Sequence, residues 1–99
     1  MAVYYMLSYD IDNMQEFAKY PPLAGALIVK YGGEVLVMDT AATVIEGTGK
    51  MMNVLVKFPT RKQALACYND EQYREVMKIR INSTSNVSMV LVEEFVPPA

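Results

Sequence analysis

Between Cys67 and Arg80 the chain reads CYNDEQYREVMKIR, and within it Tyr73, Val76, Met77 and Arg80 stand at i, i+3, i+4 and i+7. That spacing lines them up on one face of a helix. Tyrosine, valine and methionine suit an interior, but an arginine at the end of such a stripe needs a reason. One reading is structural, with the stem packed on the core and the cation meeting the last carbonyls of the helix. The other is chemical: a guanidinium is a rigid fork of donors, suited to clamping a carboxylate or an enolate at the mouth of a pocket. Tyr73, Tyr68 and Met77 would then border the same space. Tyrosine hydroxyls start near a pKa of about 10 and need a strong perturber before they act as acids or bases near neutrality. Packing with a satisfied hydroxyl is the plainer role.

Other chemistry is thin. Histidine is absent, which removes the commonest general base and the commonest transition-metal ligand, and with it histidine-ligated haem and most zinc sites. Ser8 shares a strand face with Tyr4 and Met6 and has no histidine or nearby lysine to activate it. Asp10 and Asp12 lack a third carboxylate for a hard cation, and Asp12 is expected to cap a helix. The stretch EGTGK looks like the end of a phosphate loop, yet Val44 stands where the earlier glycine belongs and Met51 where a hydroxyl should follow the lysine. It is expected to be a turn. The glycosylation patterns at Asn82 and Asn86 have no secretion signal beside them. Cys67 is the single cysteine, with no partner for a disulfide and no adjacent cation to lower its pKa. Eight methionines suit an adaptable cavity or ordinary gap filling equally. No catalytic residue is assigned, and neither a cofactor nor a metal is expected.

A chain of 99 residues with net charge −2 is near the lower end of the domain size range. With no disulfide to staple it, association is the remaining common device. The charges form no basic stripe, so nucleic acid is not an expected partner. No apolar run reaches membrane-spanning length and no leader pattern stands at the N-terminus, which makes a cytoplasmic protein with no membrane partner the expectation.

Strand chemistry marks Val3 to Tyr9, Glu34 to Met38, Met52 to Phe58 and Val87 to Phe95, with a short edge strand expected over Ala42 to Gly47. Asp12 and Gln15 predict a capping box for a short helix ending near Tyr20. Pro21 and Pro22 start a second helix with Leu23, Leu27, Ile28 and Tyr31 on its apolar face, stopped by Gly32 and Gly33. Thr60 with Gln63 opens the next helix, whose inner face is Ala64, Leu65 and Tyr68. Asn69 with Gln72 opens the last, which runs to about Ile81 before a polar loop NSTSN.

The order β-α-β-β-α-β predicts an α+β, ferredoxin-like protomer: an antiparallel sheet with its helices on one face. The strands are apolar on both faces. Val35 and Val37 should point opposite to Leu36 and Met38, and Val87, Met89 and Leu91 opposite to Val90 and Val92. Helices can cover only one side, so a homodimer packed sheet to sheet is expected. Residues 1 to 96 form the single domain, and 97 to 99 a flexible tail.

The pieces YPPL, KYGGEVLV, a later EG, FPTRKQALACYNDEQYREVMKIR and VLVEEF, in this order and spacing, resemble the domain of unknown function 1330 family of the dimeric α/β-barrel superfamily. The resemblance spans nearly the whole chain and implies dimerisation through the sheets, with a cavity between each sheet and its helices. It carries no assigned activity, although the wider superfamily includes cofactor-free monooxygenases, small-lactone isomerases and haem enzymes. Tyr31, Gly32, Gly33, Tyr68, Tyr73 and Arg80 match its recurrent positions, whereas INSTSNVS is more polar than the pattern. The expected function is binding of a small apolar or carboxylated molecule in that pocket, with Arg80, Tyr73, Tyr68, Tyr31, Ser8 and Met77 as candidate ligand contacts. The alternatives are a cofactor-free monooxygenase or isomerase, and a structural or protein-interaction module that takes no ligand.

Overall fold

A computed structural model describes residues 1–99. The elements run β1 (Val3–Ile11), α1 (Met14–Phe17), α2 (Tyr20–Lys30), β2 (Glu34–Asp39), β3 (Met52–Phe58), α3 (Arg61–Tyr68), α4 (Glu71–Ser83) and β4 (Thr84–Glu93). The strands form one antiparallel sheet in the order β2-β3-β1-β4, the ferredoxin-like arrangement expected from the element order. The helices lie on one side of it. With principal extents of 46 × 37 × 16 Å, the molecule is a slab one sheet and one helical layer thick. Its radius of gyration, 14.0 Å, exceeds the value of about 13 Å usual for this length.

Local chemistry explains the element ends, in places one residue away from expectation. The cap of α1 is Asn13, whose side chain accepts from Glu16 N, because Asp12 is already engaged: its N–H reaches Ser83 O and its carboxylate takes the Ser85 hydroxyl. Pro21 and Pro22 occupy the first turn of α2, where their missing N–H groups cost nothing. The buried face of that helix is Tyr20, Ala24 and Leu27, and Leu23 is exposed. Gly32 has φ +81, and a Cβ on Gly33 would meet the Phe58 ring at 2.6 Å. One glycine makes the left-handed stop, and the other lets the turn lie against the core. Residues 40–51 form no strand, so the expected edge strand is absent.

Thr60 caps α3, accepting from Gln63 N, while the Gln63 side chain accepts the Thr60 hydroxyl at Oε1 and donates through Nε2 to Tyr31 O. Cys67, not Leu65, completes the buried face with Ala64. The cap of α4 is Asp70, whose carboxylate takes Gln72 N and Tyr73 N, while Asn69 closes α3. The helix then passes into β4 with no loop. Ser83, fully buried, donates its hydroxyl to Ile79 O at 2.6 Å, and its carbonyl receives Asp12 N and Asn13 N at 2.8 and 3.2 Å. The expected polar loop is therefore helix end and strand start.

The two sheet faces are set by register. Val3, Tyr5, Leu7 and Tyr9 of β1 and Met52, Val56 and Phe58 of β3 turn toward the helices and are buried. They belong to a core of 15 buried residues, in which each buried valine, leucine, methionine or phenylalanine contributes roughly 1.5–3 kcal/mol. A bulge between Val35 and Val37 adds one residue to β2, so Val35 and Met38 share the helix side and Val37 faces out, contrary to simple alternation. A second bulge, opposite Tyr9, places Asn86 at φ 55 and ties its amide to Asp10.

The outer face is banded by row. Val37, Leu55, Met6 and Val90 are paired neighbours across all four strands, and so are Asp39, Asn53, Ser8 and Ser88 one level along. An apolar row thus runs beside a polar one, and nothing in the protomer covers either.

Candidate functional site

A cavity of about 150 Å³ lies between the sheet and the helices. Its floor is Tyr5, Leu7, Val54 and Val56. Pro21, Gly25 and Ile28 of α2 and Val35 and Met38 of β2 form one flank, and Met89 of β4 also borders it. A Cβ at Gly25 would meet nothing within 4 Å, so this glycine leaves space beside the helix. No acidic or basic side chain is in the wall. Apolar space on the order of 150 Å³ is enough for one aromatic ring.

Aromatic rings wrap the space in unbroken succession. Phe58 meets Tyr5 edge-on with centroids 5.8 Å apart, Tyr5 leads to Tyr68 at 6.4 Å, and Tyr68 to Tyr73 at 5.9 Å. From Tyr73 the succession continues to Tyr20 at 6.5 Å, to Phe17 at 5.8 Å and back to the sheet at Tyr9 at 5.7 Å. The Tyr5 hydroxyl is used by Ala64 O at 2.9 Å. The hydroxyls of Tyr20 and Tyr73, both residues of the cavity wall, bond each other at 2.6 Å, buried, and we take this pair as the polar end of the cavity.

Arg80 stands behind that end. It is 3% exposed, outside the cavity wall, with its guanidinium over the rings of Tyr9 and Tyr20 at 6.0 and 5.8 Å. No carboxylate pairs with it, and its Nε has no hydrogen-bond partner. Burial works against its charge, but the Tyr20 and Tyr73 hydroxyls outweigh that and raise its pKa above the ordinary value. Desolvation pushes Tyr9 up to about 12, opposed by Arg80. It raises Tyr20 as well, with Tyr73 adding to the effect. Desolvation likewise takes Tyr5 to about 12 and Cys67 to about 11. These phenols are neutral at physiological pH and can act there as hydrogen-bond donors.

The structure brings some expected site residues together and separates others. Tyr68 and Tyr73 line the cavity. Arg80 is neither at a pocket mouth nor bonded to terminal carbonyls; it is a buried cation one layer behind the tyrosines. Met77 is in the core but outside the wall. Tyr31 lies elsewhere, its hydroxyl donating to Asp70 at 2.5 Å, a bond that raises the phenol's pKa and lowers the carboxyl's. Ser8 is on the opposite face of the sheet, because even-numbered β1 residues turn outward, so it cannot contact a ligand in this cavity. Sequence reasoning missed Tyr20, taken there as a helix end. Its spacing to Ala24 and Leu27, i, i+4 and i+7, carried the signal. No group of three or more histidine, cysteine, aspartate or glutamate side chains is placed to hold a metal ion, and no helix is long and apolar enough to cross a membrane.

Strand order, helix placement and cavity define a ferredoxin-like α+β domain. The chain belongs to the family described as Domain of unknown function (DUF1330), whose model matches residues 2–95. Among solved structures, a protein of unknown function from Rhodopseudomonas palustris superposes with a TM-score of 0.83 at 14% identity, over 97% of this chain and 84% of that one. A protein from Nitrosomonas europaea, described by name as an antibiotic biosynthesis monooxygenase, gives 0.66 at 17% identity, over 97% of this chain and 100% of that one. A dimeric protein of unknown function and ferredoxin-like fold from Bacteroides fragilis gives 0.60 at 11% identity, over 94% and 96%. At these identities the likeness is one of fold. No functionally curated protein matches the chain.

Proposed function

We propose that the protein is a homodimer that binds a small apolar or carboxylated molecule in the cavity between sheet and helices. The observation that carries this is the cavity itself: an apolar, ring-sized space whose wall includes the hydrogen-bonded pair Tyr20 and Tyr73, the usual make-up of a small-molecule site. Dimerisation through the outer sheet face is supported by its uncovered apolar row, by the exposure of Met6 at 49% and Val90 at 49%, and by the dimeric relative of like fold. A cofactor-free oxygenase or isomerase is the second reading, favoured by the cation behind a hydrogen-bonded phenol pair with one proton left to donate, a disposition that can stabilise an oxyanion. With no histidine in the chain and no carboxylate in the wall, such a substrate would have to be acidic already.

Methionine methyl NMR tests the binding. Met38 and Met89 border the cavity, whereas Met1, Met14 and Met51 do not. Titration with toluene should move the Met38 and Met89 methyl signals and leave those three in place. Gly25→Leu, which fills the space beside α2 and suits a helix, should remove the response without unfolding the protein. Shifts confined to the surface methionines, or none at millimolar toluene, would assign the protein to the ligand-free, structural class.

A further inference from the structure

Resting on the cavity proposed above, the geometry points to the class of molecule it takes: we infer that the Tyr20 and Tyr73 end receives the ionised oxygen of a single-ring phenol or enol, with Arg80 as the countercharge behind it. The size of the space sets one ring. The nature of that end sets one oxygen, since the Tyr20 and Tyr73 hydroxyls bond each other and leave a single proton of the pair free to donate. What sets the charge is Arg80. Proteins rarely bury an arginine without a carboxylate or an equivalent set of acceptors, because an uncompensated buried cation is strongly destabilising. Here the guanidinium is buried, its Nε is unpaired, and no carboxylate comes within ion-pair distance. The cavity lined by Tyr20 and Tyr73, whose hydroxyls also act on Arg80, offers a place for the negative charge that would balance it.

The groups facing that place from every side are Tyr5 and Tyr9 of β1, Tyr20 of α2, Cys67 and Tyr68 of α3, and Tyr73 of α4. None of them carries a formal charge in its neutral form, and Arg80 is the charge that stands against them. A carboxylate has a second oxygen that would be left among apolar side chains without a donor, so it suits this end less well than a phenolate or enolate. The ligand loses its proton to solvent, and no other covalent change is involved.

The probes are 4-nitrophenol, whose phenolate is coloured, and toluene, the ring without the oxygen. The wild-type protein should bind the phenolate about ten-fold more tightly than the neutral phenol, which lowers the ionisation midpoint of the bound dye by about one pH unit relative to the free dye. Arg80→Met should erase that preference while leaving toluene affinity unchanged. Tyr20→Phe and Tyr73→Phe, which keep the rings, should each reduce it and provide a test should Arg80→Met not fold. An unchanged or raised midpoint for the bound dye, or an unaltered preference in the Arg80 and tyrosine variants, overturns the inference while toluene binding preserves the cavity. If toluene fails to bind as well, both fall.

Discussion

Both faces of the sheet carry apolar residues, and they behave differently. On the helix side, β1 and β3 place Val3, Tyr5, Leu7, Tyr9, Met52, Val56 and Phe58 under a helical layer, and each is buried. On the other side, Met6, Val37 and Val90 are 49%, 42% and 49% exposed, and the next row is wholly polar: Asp39, Asn53, Ser8 and Ser88. The inner face holds rings around a space. The outer one is a stripe of aliphatic side chains beside a stripe of hydroxyl, amide and carboxylate. Hydropathy alone cannot tell a covered face from an uncovered one; what distinguishes them here is whether apolarity fills every row or only some.

The largest expected effect tests the inner face. Phe58, 1% exposed, packs edge-on against Tyr5, and Phe58→Ala should cost about 3–5 kcal/mol of unfolding free energy in a urea titration. A loss near 1 kcal/mol would mean that the face collapses readily around a void. The outer face is probed next by Leu55→Glu, in the middle of the apolar row. In the proposed sheet-to-sheet dimer a carboxylate on each protomer should weaken association about 100-fold, roughly 3 kcal/mol, with the fold retained. Sedimentation or light scattering over a dilution series measures this, and an unaffected dimer would move the interface off this face.

Alkaline pH should separate the faces by their titratable groups. Tyr5 and Tyr9 are raised from 10.0 to about 12 and Cys67 from 9.0 to about 11, chiefly by burial. For each, the folded state holds its proton more tightly than the unfolded chain. The associated stability is complete below pH 9.0 and is lost as pH rises toward about 12. The Tm should hold steady to about pH 9 and then fall steeply. A decline starting near pH 7 would contradict the burial of these groups. The smallest effect belongs to the polar row: Ser8 makes no side-chain hydrogen bond in the protomer, and Ser8→Ala should change stability by less than about 0.5 kcal/mol and leave toluene binding unaltered. A larger change would show that the partner protomer bonds it.

Sequence patterning carried the element order, the sheet, the stop at Gly32, the Thr60 cap and the placing of Tyr68 and Tyr73 beside one another. These follow from period and cap chemistry, both local. What escaped was non-local. The β2 bulge reverses Val37 and Met38, and nothing within EVLVMD announces it. Asp12 was the natural cap by type, but β4 claims its carboxylate through Ser85. NSTSN has loop composition, yet Ser83 and Thr84 bond back to the helix end through their hydroxyls and so need no loop. Arg80 was conspicuous by spacing. Its partners, Tyr9 and Tyr20, come from β1 and α2, and only folding brings them to it.

The seamless junction of α4 and β4 also bears on how the gene can vary. Between β2 and β3 twelve or so residues, 40–51, lie outside any helix or strand, and a codon gained or lost there is taken up locally. At Ser83 and Thr84 there is no slack. One codon more would either turn the Arg80 face of the helix by about 100° or slip β4 by a residue against β1, exchanging Met89 and Leu91 for Val90 and Val92. Length variation among descendants of this gene should therefore collect in the 40–51 segment and be purged at the 83/84 joint, where a single-codon change would disrupt the cavity and the outer sheet face together.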